Sequence, residues 1–209
     1  MSGALPDYRP TGDVAADKAT WRTAVRAARR GLVDGWSAAE RDAAARALAE
    51  GGLAHLRGYA VARGRDGLAG ATVTAYEPMR TEPPVRGLTD ALRRAGVRVL
   101  VPLTLERPRL DWADLDDPGR APLGEDVLQE VDLAFVPGLA VSRAGVRLGQ
   151  GGGYYDTVLP RLRELSGGAL VVLVLHDHEV VPQVPAAGHD AVVDAVLRPA
   201  TGVRRLPLA

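Results

Sequence analysis

The 209-residue chain contains no cysteine, which excludes disulfide bonds, thiolate metal sites and a cysteine nucleophile. Its apolar runs all fall short of the roughly 20 residues that a membrane-spanning helix requires. The polar, proline-containing start lacks the apolar segment of a signal peptide. A net charge is absent too, because 26 basic residues balance 26 acidic ones and leave no electrostatic signature of nucleic-acid binding. We therefore expect a cytoplasmic protein that binds neither membranes nor nucleic acid.

Lysine is almost absent, since Lys18 is the single lysine among the 26 basic residues. A lone lysine in an arginine-rich chain indicates either a position that needs a compact charge or chance survival on a solvated helix. Lys18, Arg22 and Arg26 follow one another at spacings of four and form one row on a predicted helix that starts at Asp17. Such a row is typical of a solvated helix surface, so the spacing alone leaves its role open.

The sequence does contain a succession of helix-like and strand-like segments. Residues 71–76 have strand composition, residues 85–95 resemble a helix ending at a glycine, and residues 97–101 resemble a second strand. This β-loop-α-β unit predicts an α/β fold with parallel strands. Three further strands are predicted over residues 131–136, 169–175 and 191–197.

The remaining segments predict the domain organisation. Residues 1–16 are expected to form a poorly ordered tail, and residues 17–209 one domain. A second helix is predicted from Ser37 to the pair Gly51 and Gly52. Residues 103–130 form a long excursion, which predicts a binding loop or lid, with Trp112 either anchoring it or stacking on an aromatic ligand. We favour the anchor.

The most informative segment is residues 147–156, which read Arg-Leu-Gly-Gln-Gly-Gly-Gly-Tyr-Tyr-Asp. Four glycines in five positions let the backbone approach a ligand closely, and successive exposed N–H groups suit a polyanion. Arg147 and the start of a following helix add positive charge. Asp156 cannot attract phosphate itself, so it indicates a divalent cation such as Mg²⁺ bridging to the phosphates.

Several acidic and imidazole groups have two interpretations. Glu82 follows the first predicted strand, where α/β proteins bind ligands, but an ordinary exposed acid has the same pattern. Asp194 lies within a predicted strand and therefore needs a hydrogen bond or a cation. The segment 176–179, His-Asp-His-Glu, looks like a metal cluster, but its alternation at a strand end argues against one.

The glycine-rich segment fits neither the Walker pattern, which requires a lysine, nor the dinucleotide fingerprint. Residues 136–156 as a whole resemble the signature of the 5-formyltetrahydrofolate cyclo-ligase family, also called methenyltetrahydrofolate synthetase. Further motifs follow in the family's order: Lys18-x-x-x-Arg22, a tyrosine-to-glutamate loop over residues 76–82, and two segments at residues 96–102 and 189–197. The resemblance covers most of the chain from Lys18 onward.

The resemblance implies a three-layer α/β/α sandwich with a mostly parallel central sheet. It also implies ATP- and Mg²⁺-dependent cyclisation of 5-formyltetrahydrofolate to 5,10-methenyltetrahydrofolate, with release of ADP and phosphate. The implied partner is a reduced folate, and we expect a monomer. The alternatives are a non-catalytic folate- or nucleotide-binding regulator on the same fold and a different ATP-dependent ligase.

The resemblance also implies which residues form the site, at the positions that match the family's motifs. Lys18 and Arg147 are expected to be catalytic, through neutralisation of phosphate charge. Mg²⁺ ligands are expected at Asp156 and Asp194. The expected ATP-binding residues are Lys18, Arg22, Arg147, Gly149, Gln150, Gly151, Gly152, Gly153, Tyr154 and Tyr155. The expected folate contacts are Glu82, Gln150, Gly151, Gly152, Gly153 and Tyr154.

Overall fold

A seven-stranded sheet forms the centre of the computed structural model, which describes residues 5, 7–188 and 190–208. The strands in chain order are β1 (Thr72–Thr74), β2 (Arg98–Thr104), β3 (Leu110–Asp114), β4 (Leu133–Pro137), β5 (Ala140–Ser142), β6 (Arg147–Leu148), β7 (Leu170–Val174), β8 (Val180–Val181), β9 (Ala195–Arg198) and β10 (Gly202–Arg205). The central order is β10-β9-β7-β4-β1-β2-β3, in which the five inner strands are parallel and both edge strands antiparallel. A smaller sheet has the order β6-β5-β8.

Helices cover both faces of the central sheet. The helices are α1 (Val14–Asp34), α2 (Ala38–Ala62), α3 (Arg86–Arg94) and α4 (Tyr154–Leu165). Leucines of α2 and α3 share one apolar cluster with β1, β4 and β9, whereas α4 shares another with the 3₁₀ segment Glu125–Glu130 and the opposite face of the sheet. The predicted three-layer α/β/α sandwich with a mostly parallel sheet is confirmed.

Helix α1 packs apart from both of these clusters. Trp21 and Val25 contact Leu139, Leu148 and other residues of the smaller sheet and its surroundings in a third apolar cluster. This packing brings the Lys18 row beside the segment that follows β6. The position of α1 therefore depends on the smaller sheet, which the sequence did not predict.

Helix α1 starts three residues earlier than predicted. The Asp13 side chain accepts hydrogen bonds from the N–H groups of Ala15 and Ala16 and caps the helix. Asp17 instead accepts hydrogen bonds from Tyr8 and Thr11, and the Thr11 bonds lower its pKa. The predicted helix start at residue 17 is therefore wrong. Residues 1–4 and 6 of the expected tail lie outside the described residues.

Helix α2 continues well past the glycine pair that was predicted to end it. A Cβ atom on Gly52 would lie 2.6 Å from a methyl group of Leu88, and one on Gly51 would lie 3.1 Å from the Cα of Gly202. These glycines allow α2 to approach α3 and β10 closely. A glycine pair in a helix-like segment thus marks close packing here and not a helix end.

The excursion over residues 103–130 is partly ordered into the edge strand β3 and the 3₁₀ segment. Trp112 is fully buried in the core on β3, which confirms its interpretation as an anchor. The last predicted strand is shorter than expected, because β9 starts only after Asp194. Among the described residues, none of the helices combines the length and apolarity needed to cross a bilayer.

Candidate active site

The glycine-rich segment links β6 to α4 at the end of the sheet where the parallel strands terminate. Gly151 and Gly153 have φ angles of 96° and 76°, which disfavour a side chain. A Cβ atom on Gly149 would lie 2.9 Å from the Arg147 guanidinium, and one on Gly152 would lie 2.6 Å from the Tyr154 ring. Local backbone shape and crowding therefore both require glycine, and the loop forms one wall of two neighbouring cavities.

The larger cavity has a volume of about 310 Å³ and a largely apolar lining. Glu82 lies buried in its wall and accepts hydrogen bonds from the Met79 N–H at 3.0 Å and from the Gln150 side chain at 2.9 Å. Gln150 thereby ties the glycine loop to the segment after β1. The cavity suits a flat, partly polar molecule that can pair with a carboxylate. Its remaining walls include Tyr76, Pro102, Leu110, Pro137, Tyr154 and Tyr155.

The Tyr76 and Tyr155 hydroxyl groups are buried in this wall without a hydrogen-bond partner among the described residues. Burial raises the pKa of both phenols, so both stay protonated at neutral pH. Buried polar groups without partners cost stability and concentrate at functional sites. These two hydroxyls are therefore potential donors to a ligand.

The smaller cavity, of about 140 Å³, is lined by charged groups. The Lys18 ammonium lies 2.5 Å from the Asp190 carboxylate, and the Arg147 guanidinium lies 2.5 Å from the Asp156 carboxylate. Arg22 completes the set. Asp190 neutralises the charge of Lys18, and Asp156 neutralises that of Arg147. The additional charge of Arg22 therefore makes the lining of this cavity positive overall.

Arg147 and Arg22 are held by the backbone as well as by charge. Arg147 is buried and donates to the Pro137 carbonyl at 3.3 Å, and its guanidinium carbon lies 5.7 Å from the centre of the Tyr155 ring. Arg22 donates to the Gly149 carbonyl at 3.0 Å. Burial, followed by the nearby Arg26 charge, lowers the pKa of Arg22 from its ordinary value near 12.5. A desolvated cation beside another cation favours binding of an anion.

The structure does not bring Asp194 to Asp156, which corrects the expected pair of metal ligands. The Asp194 carboxylate accepts hydrogen bonds from Arg163 at 3.0 Å and from the Val171 N–H at 2.7 Å. Val171 lies at the start of β7, whereas the glycine loop lies at the other end of the parallel strands, and a five-residue strand spans roughly 16 Å. The hydrogen bonds explain why an aspartate is tolerated next to β9.

Asp190 takes the place beside Asp156 that Asp194 was expected to fill. Both carboxylates line the smaller cavity, and Asp190 is reached by Lys18 from α1. The sequence signal was present, because the motif over residues 189–197 contains both aspartates. His189, which opens that motif, lies outside the described residues. The match to the family motif was assigned to Asp194, which lies just before β9.

The segment over residues 176–179 makes hydrogen bonds within the fold. Glu179 is fully buried and bonds Arg29, and the His176 Nε2 lies 3.0 Å from the Thr81 carbonyl oxygen. Within residues 5, 7–188 and 190–208, no three histidine or acidic side chains are grouped as a metal site would require. Burial lowers the pKa of His176, which keeps its imidazole neutral.

A parallel α/β/α sandwich with ligand-sized cavities at the carboxyl ends of its strands is the architecture of an α/β enzyme. The model of the 5-formyltetrahydrofolate cyclo-ligase family matches residues 14–199. The chain therefore belongs to this family of ligases, as its sequence motifs indicated.

Individual relatives agree with the family match. The 5-formyltetrahydrofolate cyclo-ligase of Mycolicibacterium smegmatis is 33% identical over 153 residues, which cover 65% of this chain and 77% of the relative. The mouse enzyme of the same name is 36% identical over 93 residues, 43% of this chain and 45% of the relative. The solved 5,10-methenyltetrahydrofolate synthetase of Mycoplasma pneumoniae superposes with a TM-score of 0.64 at 18% identity, covering 84% of this chain and 96% of that one. The 5,10-methenyltetrahydrofolate synthetase of Aquifex aeolicus superposes with a TM-score of 0.62 at 22% identity, covering 90% of this chain and 94% of that one. Both of these likenesses concern the fold alone.

Proposed function

We propose that this chain catalyses the ATP- and Mg²⁺-dependent cyclisation of 5-formyltetrahydrofolate to 5,10-methenyltetrahydrofolate, with release of ADP and phosphate. The observation that carries the proposal is the shared wall between the two cavities. Arg147, Asp156 and the glycine loop line both the larger, mostly apolar cavity and the smaller, charged one. A folate head in the first would therefore lie next to the terminal phosphate of ATP in the second.

The chemistry requires activation of a poor electrophile. Amide-like resonance stabilises the formyl group on N5, so its oxygen is a poor leaving group. Transfer of the γ-phosphoryl group of ATP to that oxygen creates a good leaving group, and N10 then attacks the formyl carbon. The N10 proton is released with the phosphate, which carries the former formyl oxygen, and ADP remains. Such a reaction depends mainly on positioning and charge neutralisation, and it needs no nucleophilic side chain.

Lys18, Arg22 and Arg147 are the groups that would neutralise the phosphates. All three line the smaller cavity, together with glycines whose N–H groups suit phosphate oxygens. Glu82, whose carboxylate already accepts the Gln150 amide and the Met79 N–H, would accept hydrogen bonds from the folate ring on the other side of the loop.

Asp156 and Asp190 fit a magnesium ion by their chemistry, because Mg²⁺ is commonly held by one or two carboxylates together with phosphate oxygens and water. When bound, the ion would neutralise charge on the transferred phosphoryl group. In the structure each carboxylate is paired with a cation, Asp156 with Arg147 and Asp190 with Lys18. With ATP and the metal bound, the phosphates would pair with Lys18 and Arg147, and the metal would pair with the two carboxylates.

The purified protein, incubated with 5-formyltetrahydrofolate, ATP and Mg²⁺, should generate the methenyl chromophore. Asp156→Asn and Asp190→Asn should require far more Mg²⁺ for the same rate, whereas Asp194→Asn should show the wild-type Mg²⁺ dependence. ATP and folate binding without product would refute the catalytic proposal and support a non-catalytic regulator. A normal Mg²⁺ response of Asp190→Asn would refute the metal assignment alone.

A further inference from the structure

Arginine side chains bind every carbonyl group along the centre of the glycine loop. Arg22 and Arg26 of α1 donate to the carbonyls of residues 149 and 150, at 3.0 and 2.7 Å. Arg107, from the connection between β2 and β3, donates to the carbonyls of residues 151 and 152, at 2.8 and 3.2 Å. Four consecutive carbonyls are thus held from two sides by three arginines.

This arrangement fixes the direction of the loop's N–H groups. In a trans peptide, the carbonyl of one residue and the N–H of the next point in opposite directions. Each carbonyl that is turned toward an arginine therefore turns the N–H of the next residue, from 150 to 153, away from that arginine. None of these four N–H groups has a hydrogen-bond acceptor in the part of the chain that the structure describes. The arginines therefore fix the directions of four backbone donors that a ligand can use.

The three arginines differ in where the rest of the side chain lies. Arg22 lines the smaller cavity and can also touch a ligand there. Arg26 and Arg107 line neither cavity, so they act on the loop and not on what the loop binds. Arg107 projects from the chain between Thr104 and Leu110, two residues of the larger cavity's wall. Arg107 therefore connects the wall of the larger cavity to the glycine loop, which also lines the smaller cavity.

We propose that Arg26 and Arg107 are positioning residues that hold the glycine loop in its phosphate-binding conformation, an inference that rests on the proposed function. Without them the flexible loop samples other conformations, in which its N–H groups no longer keep these fixed directions. The loss affects the binding of ATP in the ground state and in the transition state alike. It is therefore expected in the KM for ATP and not in kcat.

The test compares Arg26→Gln and Arg107→Gln with two matched controls that lose the same charge. Arg30 is exposed on the same helix as Arg26, and Arg109 is exposed beside Arg107; neither side chain makes a hydrogen bond to the described residues. Loss of a hydrogen bond from a charged donor should raise the KM and the Kd for ATP about tenfold. Arg30→Gln and Arg109→Gln should leave both constants, and the KM for folate, unchanged.

Lysine replacements separate positioning from general stability. Arg26 uses a single nitrogen to reach the Gln150 carbonyl at 2.7 Å and the Gln150 side-chain oxygen at 3.4 Å. A single ammonium can replace that nitrogen, so Arg26→Lys should recover most of the ATP affinity. Arg107 serves two carbonyls with two N–H groups, so Arg107→Lys should recover little. Both glutamine variants should melt at the same temperature as their controls, which would show that the fold is intact.

The outcomes distinguish this proposal from the function on which it rests. A wild-type protein that binds no ATP in calorimetry would overturn both. A wild-type protein that binds ATP, with Arg26→Gln and Arg107→Gln indistinguishable from the controls, would overturn the positioning role and leave the function standing. A drop in kcat at constant KM would also overturn it, because it would indicate a transition-state contact.

Discussion

The buried ion pair between Arg29 and Glu179 should be the most sensitive electrostatic contact in the fold. Arg29 on α1 is 1% exposed, and Glu179 after β7 is fully buried. The guanidinium donates two hydrogen bonds to the carboxylate, at 2.6 and 2.9 Å, and a third to the Gly138 carbonyl at 2.6 Å. Burial alone would lower the pKa of Arg29, but hydrogen bonding and charge attraction from Glu179 raise it overall, so the guanidinium stays charged.

Glu179→Gln leaves the arginine charge buried without its counter-charge. Removal of one partner from such a pair costs about 3–5 kcal/mol, a large part of the about 5–15 kcal/mol that stabilises a typical protein. For a chain of this size, each kcal/mol lowers the Tm by about 2–4 °C, so the Tm should fall by about 10 °C. Urea unfolding followed by tryptophan fluorescence would measure the free energy of unfolding directly.

The double variant Arg29→Met/Glu179→Leu provides the control. It removes both charges and replaces them with apolar side chains, so it should be more stable than Glu179→Gln despite carrying two changes. The reasoning would be refuted if Glu179→Gln lost less than about 1 kcal/mol, the range of exposed ion pairs. It would also fail if the double variant were the least stable of the set.

Further predictions concern single side chains. Tyr76→Phe removes a buried hydroxyl without a partner among the described residues, so the free energy of unfolding should rise by about 1 kcal/mol. Folate affinity should fall at the same time, because a potential hydrogen-bond donor to the ligand is lost. Urea unfolding measures the first effect and calorimetry the second, and a loss of stability would contradict the prediction. Because burial lowers the pKa of His176, the unfolded chain binds a proton near pH 6.5 that the folded chain does not. Wild-type stability should therefore decline below about pH 6.5 more steeply than that of His176→Gln, and equal slopes would exclude the effect. Gly52→Ala would place a Cβ atom 2.6 Å from Leu88 and should destabilise by about 1–3 kcal/mol, whereas Gly58→Ala on the same helix meets open space and should stabilise slightly.

Much of the parallel core could be predicted from the sequence because its strands are short, apolar and punctuated by glycine. The helix that follows the glycine loop was also predicted, and it runs through Pro160 without a break. The antiparallel edge strand β10 and the smaller sheet were missed. These segments have only two to four residues and carry no periodicity, and β5 also pairs with β8, almost forty residues later in the chain.

For the candidate site, the glycine loop and Lys18 could be predicted from spacing and resemblance, but the partners of the loop could not. Asp190 and Asp194 are four residues apart in one motif, and only the three-dimensional path of the extended segment separates them. Arg107 is one of many exposed arginines in the sequence, and nothing local distinguishes it. Its role depends on where the connection between β2 and β3 lies relative to a loop more than forty residues later.

The separate packing of α1 has a consequence for local unfolding. Lys18, Arg22 and Arg26 all reach the site from this one helix. It packs on the smaller sheet, outside the two large core clusters, and is held there by the bonds from its own Arg29 to Glu179 and Gly138. A partial opening that releases α1 would remove all three cations together while the central sheet stays folded. ATP binding should then slow hydrogen exchange in α1 more than in β4 or β7. The nucleotide would thus stabilise the amino-terminal helix against local unfolding.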